Sequence, residues 1–113
     1  MASTAFASRE EQLDAIFHAL SDRTRRALVQ RLSEGSAMIS ELAAPFNMTF
    51  AAVSKHLRVL EAACLITREV NGRVHRCKLD AAAMKEADRW LNDYAFFWEG
   101  SLDRLEKVVR EKK

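Results

Sequence analysis

A chain of 113 residues, 49% hydrophobic and 30% charged, has the make-up of a single folded domain, and its three glycines and one proline leave little room for long loops. No window approaches the ~18 consecutive apolar residues of a membrane span, and the opening "MASTAFASREEQ" carries no apolar run of signal-peptide length. The net charge of +2 conceals a gradient: residues 49–79 hold six cations against two acids, while both ends are mildly acidic. Such a basic middle points to an anionic partner.

The expected compartment is therefore the cytoplasm, with no membrane partner. Cys64 and Cys77 are expected there as reduced thiols. Leu13, Ile16, Phe17 and Leu20 recur at helical spacing and predict a first helix over 9–20. Ser21 or Asp22 can cap a second helix, whose apolar face is Leu28, Val29 and Leu32 and which Gly35 stops. Arg23, Arg25 and Arg26 crowd its start. Ser40 is the expected cap of a short third helix holding Leu42, Ala43 and Phe46. Pro45 keeps that helix short, since proline lacks the donor and crowds the preceding turn.

Thr49 is a natural N-cap for the next helix. Along it Phe50, Val53, Leu57 and Leu60 fall on one side, and Ala51, Ser54, Lys55, Arg58 and Ala62 on the other. After Cys64 come two short alternating runs around Asn71-Gly72, the strongest short hairpin signal. With Asn71-Gly72 as a two-residue loop, Val70 faces Arg73, Arg68 faces His75, Ile66 faces Cys77, and Cys64 lies opposite Leu79. Ile66, Cys77 and Leu79 then share an inner face, and Val74, Arg76 and Lys78 an outer one.

Residues 81–111 predict one long helix, roughly 46 Å at 1.5 Å per residue. Met84, Ala87, Leu91, Tyr94, Trp98, Leu102, Leu105 and Val109 form its apolar stripe, broadened by Trp90, Phe96 and Phe97. So long a stripe exceeds what a small core can cover, and a second copy of the chain is the simplest cover.

The expected architecture is thus mainly α with a small β-hairpin: one domain, 1–113, of winged helix-turn-helix type. The helix-turn-helix is placed at 40–63 and the wing at 65–79, between a first helix at 9–20 and a last at 81–111. The second helix of such a motif enters the major groove, cations hold phosphates, and residues near its start face base edges. A winged helix that binds protein without DNA is the alternative reading.

The stretch "ELAAPFNMTFAAVSKHLRVLEAACLITREVNGRVHRCKL" resembles the helix-turn-helix and wing of ArsR/SmtB-type transcriptional repressors, most specifically in V-S-K-H-L-x-V-L-x-x-A at 53–63. "ALSDRTRRALVQRL" at 19–32 also resembles them, with Arg23 where the family usually has proline. "WLNDYAFFWEGSLDRL" at 90–105 is similar to a branch with an aromatic-rich last helix. The resemblance implies a homodimeric repressor bound to a palindromic operator in double-stranded DNA near its own gene. Its DNA-contact positions correspond to Thr49, Phe50, Ala52, Ser54, Lys55, His56 and Arg58 in the helix, and to Arg73, His75 and Arg76 in the wing. Phe50 stands where relatives often have glutamine; it either packs or touches a thymine methyl. His56 either contacts DNA or holds the helix against the wing. The implied dimer interface takes Leu13, Phe17, Leu91, Tyr94, Trp98, Leu102 and Leu105.

Many relatives sense metals, but the residues here do not match either ligand set. The segment that carries cysteines in arsenic-type sites has Ala43 and Pro45, and residues 81–113 hold no histidine or cysteine for a zinc-type site. No metal and no cofactor are expected. Two sensor alternatives stand beside this. One is a thiol pair, Cys64 and Cys77, whose diagonal placement in the predicted hairpin is too wide for an undistorted disulfide. The other is a small apolar inducer among Trp90, Tyr94, Phe97 and Trp98. Enzyme readings find no support, since Ser54 and His56 point about 160° apart on a helix and cannot act as nucleophile and base. Relatives usually carry glycine at Cys64, where left-handed backbone is expected.

Overall fold

A computed structural model describes residues 6–111, the side chains of 95–98 excepted. Eight elements follow in order: α1 (Arg9–Ala19), α2 (Arg23–Leu32), β1 (Ala37–Met38), α3 (Ile39–Ala43), α4 (Phe50–Ala62), β2 (Ile66–Asn71), β3 (Val74–Leu79) and α5 (Ala81–Glu111). Among the described residues, no helix is long and apolar enough to cross a membrane.

Local chemistry sets most of the helix ends. Ser8 caps α1 through the Glu11 N–H, at 3.2 Å. Asp22 caps α2, accepting from the N–H groups of Thr24 and Arg25 at 2.8 and 3.1 Å. The Arg25 N–H bond holds the Asp22 carboxyl below its ordinary range against the opposing effect of burial, helped by the Thr24 N–H and the nearby His56 and Arg25 side chains. The arginines at the start of α2 close the preceding helix. Arg25 Nε donates to the Ala19 carbonyl at 2.7 Å and Arg26 Nη1 to that of Leu20 at 2.8 Å, groups that α1 leaves without helical partners.

The third helix begins two residues earlier than expected. Its N-cap is Met38, not Ser40, and the Glu41 carboxylate reaches back to accept from the Met38 N–H at 2.8 Å. Met38 is also the end of β1, a strand whose two residues pair with β3, Ala37 with Cys77 and Met38 with Arg76. The sheet order is β1-β3-β2, all antiparallel.

The wing is a hairpin, in a register two residues away from the predicted one. Ile66 pairs with Leu79, Arg68 with Cys77, Val70 with His75 and Asn71 with Val74. The loop is Gly72-Arg73, with Gly72 at φ +63 and no left-handed residue beside it. A two-residue loop that needs positive φ only at its first position suits glycine there, whereas Asn71-Gly72 would have needed it at both. Because side chains alternate with period two, a slip of two leaves the faces as expected: Ile66 and Cys77 are buried, and Arg76 and Lys78 exposed. Arg68 shares the inner face, and its guanidinium meets the Glu61 carboxylate of α4 at 3.5 Å.

The core joins Ile16 and Ala19 of α1, Leu28 and Leu32 of α2, Leu42 of α3, Val53, Leu57 and Leu60 of α4, Leu65 and Ile66, and Ala83 and Ala87 of α5. Leu13 is buried by its own chain, contrary to its expected place in a dimer interface; it is spent on the protomer's interior. Phe50 departs the other way. Helical spacing put it with Val53 and Leu57, yet 58% of it is exposed, because the core does not extend to the first residue of α4.

The end of α4 fixes the backbone at Cys64. The Leu65 N–H bonds the Leu60 carbonyl at 3.0 Å and the Cys64 N–H that of Glu61 at 2.9 Å. This is the paired closure of a Schellman motif, with Leu65 and Leu60 supplying the buried apolar contact. It requires a left-handed residue at 64, and Cys64 sits at φ +64. A Cβ there costs about 1 kcal/mol. Cys64→Gly is therefore expected to raise stability by about 1 kcal/mol, read as a higher urea midpoint at constant m. A lower midpoint would mean that packing of the thiol outweighs backbone strain.

Candidate nucleic-acid interface

The exposed surface of α4 starts from its cap. Thr49 Oγ1 accepts from the Ala52 N–H at 3.1 Å, which anchors the helix start and leaves neighbouring N–H groups facing outward. Beyond the cap the outward residues are Phe50, Ala51, Lys55 and Arg58, with Ala52 and Ser54 half-buried beside them. These side chains border one shallow hollow. A second hollow adjoins it across Phe50 and is bounded by Ser40 of α3 and by Arg73, Val74 and His75 of the wing. Phe50 is thus the wall shared by the helix surface and the loop end of the wing.

The expected site residues divide accordingly. Thr49, Phe50, Ala52, Ser54, Lys55, Arg58, Arg73 and His75 come together. Among the described residues, Lys55, Arg58 and Arg73 have no acidic partner within 4 Å, so their charge faces outward.

Two residues do not join them. His56 turns toward α2: its Nδ1 lies 3.3 Å from Arg25 Nη1 and 4.0 Å from Asp22 Oδ2. It braces α4 against the start of α2, not against the wing. Arg76 stands on the outer sheet face, across the ladder from Glu69 and 3.5 Å from Ser36 Oγ. The basic middle is also less exposed than its count of cations suggested, because Arg68 is largely buried against Glu61.

The thiols lie apart from this surface. Cys64 sits in the helix-closing turn, outside the ladder, so the predicted pairing with Leu79 does not form. Cys64 and Cys77 are both free. Burial pushes the Cys64 thiol up, with Asp80 adding to it. Burial also raises Cys77; Arg68 opposes this and Glu61 adds to it. Raised thiols hold little thiolate, the form that reacts with oxidants, and this disfavours the redox alternative. Among the described residues, no three side chains of His, Cys, Asp or Glu gather as metal ligands do.

A family model described as a helix-turn-helix domain matches residues 20–69. HTH-type transcriptional regulator Rv2034 of Mycobacterium tuberculosis is 38% identical over 100 residues, spanning 85% of this chain and 87% of that protein. The solved structure of an ArsR family transcriptional regulator, RHA00566, is 41% identical with a TM-score of 0.74, covering 78% of this chain and 97% of that one. The chain belongs to the ArsR family of transcriptional regulators. A more distant relative, the transcriptional repressor SdpR of Bacillus subtilis, is 26% identical over 73% of this chain and 91% of its own length. The ArsR-family fold is thus a winged helix-turn-helix in this chain, with α3 and α4 as the motif and β2–β3 as the wing.

One further surface lies along α5. Its first turns pack on the core through Ala83 and Ala87, and the rest projects, giving the molecule a long dimension of 67 Å. Leu91, Tyr94, Leu102, Leu105, Val108 and Val109 are all exposed. Val108 widens the stripe beyond the line that helical spacing draws through Val109. Trp90 carries the stripe back to α1, meeting Phe17 edge-on at 5.7 Å and Tyr94 at 4.8 Å. The side chain of Trp98, also expected here, lies outside the described residues.

Proposed function

We propose that the protein is a homodimeric repressor that binds a palindromic operator in double-stranded DNA near its own gene, in the cytoplasm. One observation carries this reading. The exposed start of α4 presents small side chains flanked by Lys55 and Arg58, and it continues without a break into Arg73 of the wing. Small residues let the helix approach base edges closely, and the cations meet phosphates on either side. The outward N–H groups at the start of α4 favour a phosphate as well. Thr49, Ala52 and Ser54 are the residues placed for base edges, and Lys55, Arg58 and Arg73 those placed for the backbone.

The dimer is formed by α5 with α1. Exposed leucines at 102 and 105 together with Leu91, Tyr94 and Phe17 make an apolar stripe too long to be left in water. A two-fold axis along paired α5 helices presents two α4 surfaces to two half-sites.

A gel-shift series on the DNA upstream of the protein's own gene tests the functional reading. A shift that weakens steeply with salt is expected, because phosphate contacts release counterions. Absence of any shift at low salt would favour a protein-binding winged helix instead.

A further inference from the structure

The large aromatic side chain at the start of α4 has no structural task that would explain its position. Phe50 is 58% exposed, while the core residues of its helix are fully enclosed. Its neighbours on that surface are short: Ala51, Ala52 and Ser54. Phe50 is therefore the apolar side chain with the longest reach at the end of the helix that enters the groove. Val74 and His75 of the wing border the hollow on its other side.

The ring offers neither a hydrogen-bond donor nor an acceptor of the kind that reads base edges. The one apolar group that a base pair displays in the major groove is the thymine C5-methyl. We infer that Phe50 is a specificity-determining residue that selects a thymine methyl in each half-site. This rests on the DNA reading proposed above and deepens it. Recognition at that step follows the methyl group, not the hydrogen-bonding pattern of the base pair. Deoxyuridine, which keeps the pattern and lacks the methyl, is discriminated against; 5-methylcytosine, which carries the methyl on a different pattern, recovers part of the affinity.

The test begins with a duplex selected by the protein from a randomised library at low salt. Each thymine in one half-site is then replaced in turn by deoxyuridine, and affinity is measured by fluorescence anisotropy for the wild type and for Phe50→Ala. One thymine per half-site is expected to lose about fourfold with the wild type, the factor for burying one methyl-sized group, and nothing with Phe50→Ala. Phe50→Gln is expected to shift the preferred base at that step toward adenine, whose N6 and N7 pair with an amide. Since the side chain is exposed, both variants are expected to melt with the wild type. Phe50 has no such role if every thymine tolerates deoxyuridine, or if Phe50→Ala keeps the same sensitivity. Failure to enrich any sequence would overturn the DNA reading itself, and this one with it.

Discussion

Leu102→Asp combined with Leu105→Asp is expected to give a monomer of 12.8 kDa and to lower operator affinity by on the order of a hundred- to ten-thousandfold. Both leucines are 61% exposed on the projecting part of α5, so the changes remove nothing from the protomer's core. In a dimer they would place four carboxylates in an apolar seam, where unpaired charge is strongly disfavoured. Each half-site alone binds weakly, and the second gains its strength from being held at high effective concentration by the first. Light scattering gives the mass, and thermal melting shows whether the core is intact. Retention of a dimer would place the dimer seam elsewhere than α5, and full operator affinity in a monomer would mean that binding does not need the dimer.

The second large effect concerns charge. Arg58→Ala with Arg73→Ala deletes two cations per protomer, four per dimer. Each is expected to hold one phosphate. The slope of log affinity against log salt should therefore fall by about 0.9 for each phosphate no longer neutralised. Affinity near physiological salt should drop on the order of a thousandfold, at about tenfold or more per charge-assisted bond with allowance for non-additivity. The loss should be the same on operator and on random DNA, since phosphates carry no sequence. Among the described residues neither arginine bridges to an acid, so folding should be unaffected. An unchanged salt slope would place the backbone contacts elsewhere.

Much of the fold was legible because it is written locally. Thr49 marks the start of α4 through a bond three residues away, and the bounds of α5 follow from an unbroken helical pattern. The left-handed residue at 64 was expected from the helix end together with the glycine that relatives carry there. What was not legible depends on residues distant in sequence. The strand β1 is two residues long and exists only by pairing with β3, some forty positions later. The hairpin register could slip by two without disturbing which side chains face inward, so alternation could not select it.

The site shows the same division. The helical wheel assigned Phe50 to the core because it assumes that neighbours lie along the whole face, and none covers the first residue of α4. His56 and Arg68 carry charge patterns that suggest DNA, but Asp22 and Arg25 hold one, and Glu61 the other. Only the packing of α2 against α4, and of α4 against the wing, reveals those partners. Leu13 likewise has the spacing of an interface residue, but the protomer buries it without a second copy.

The start of α4, flanked by the wing, is proposed to read a particular DNA sequence. The most direct measurement is competitive anisotropy of the wild-type protein on its own upstream region against a scrambled duplex of equal length, at physiological salt. The expected result is a preference of at least about a thousandfold, at the low end for specific regulators. Equal affinity for the two duplexes would contradict it.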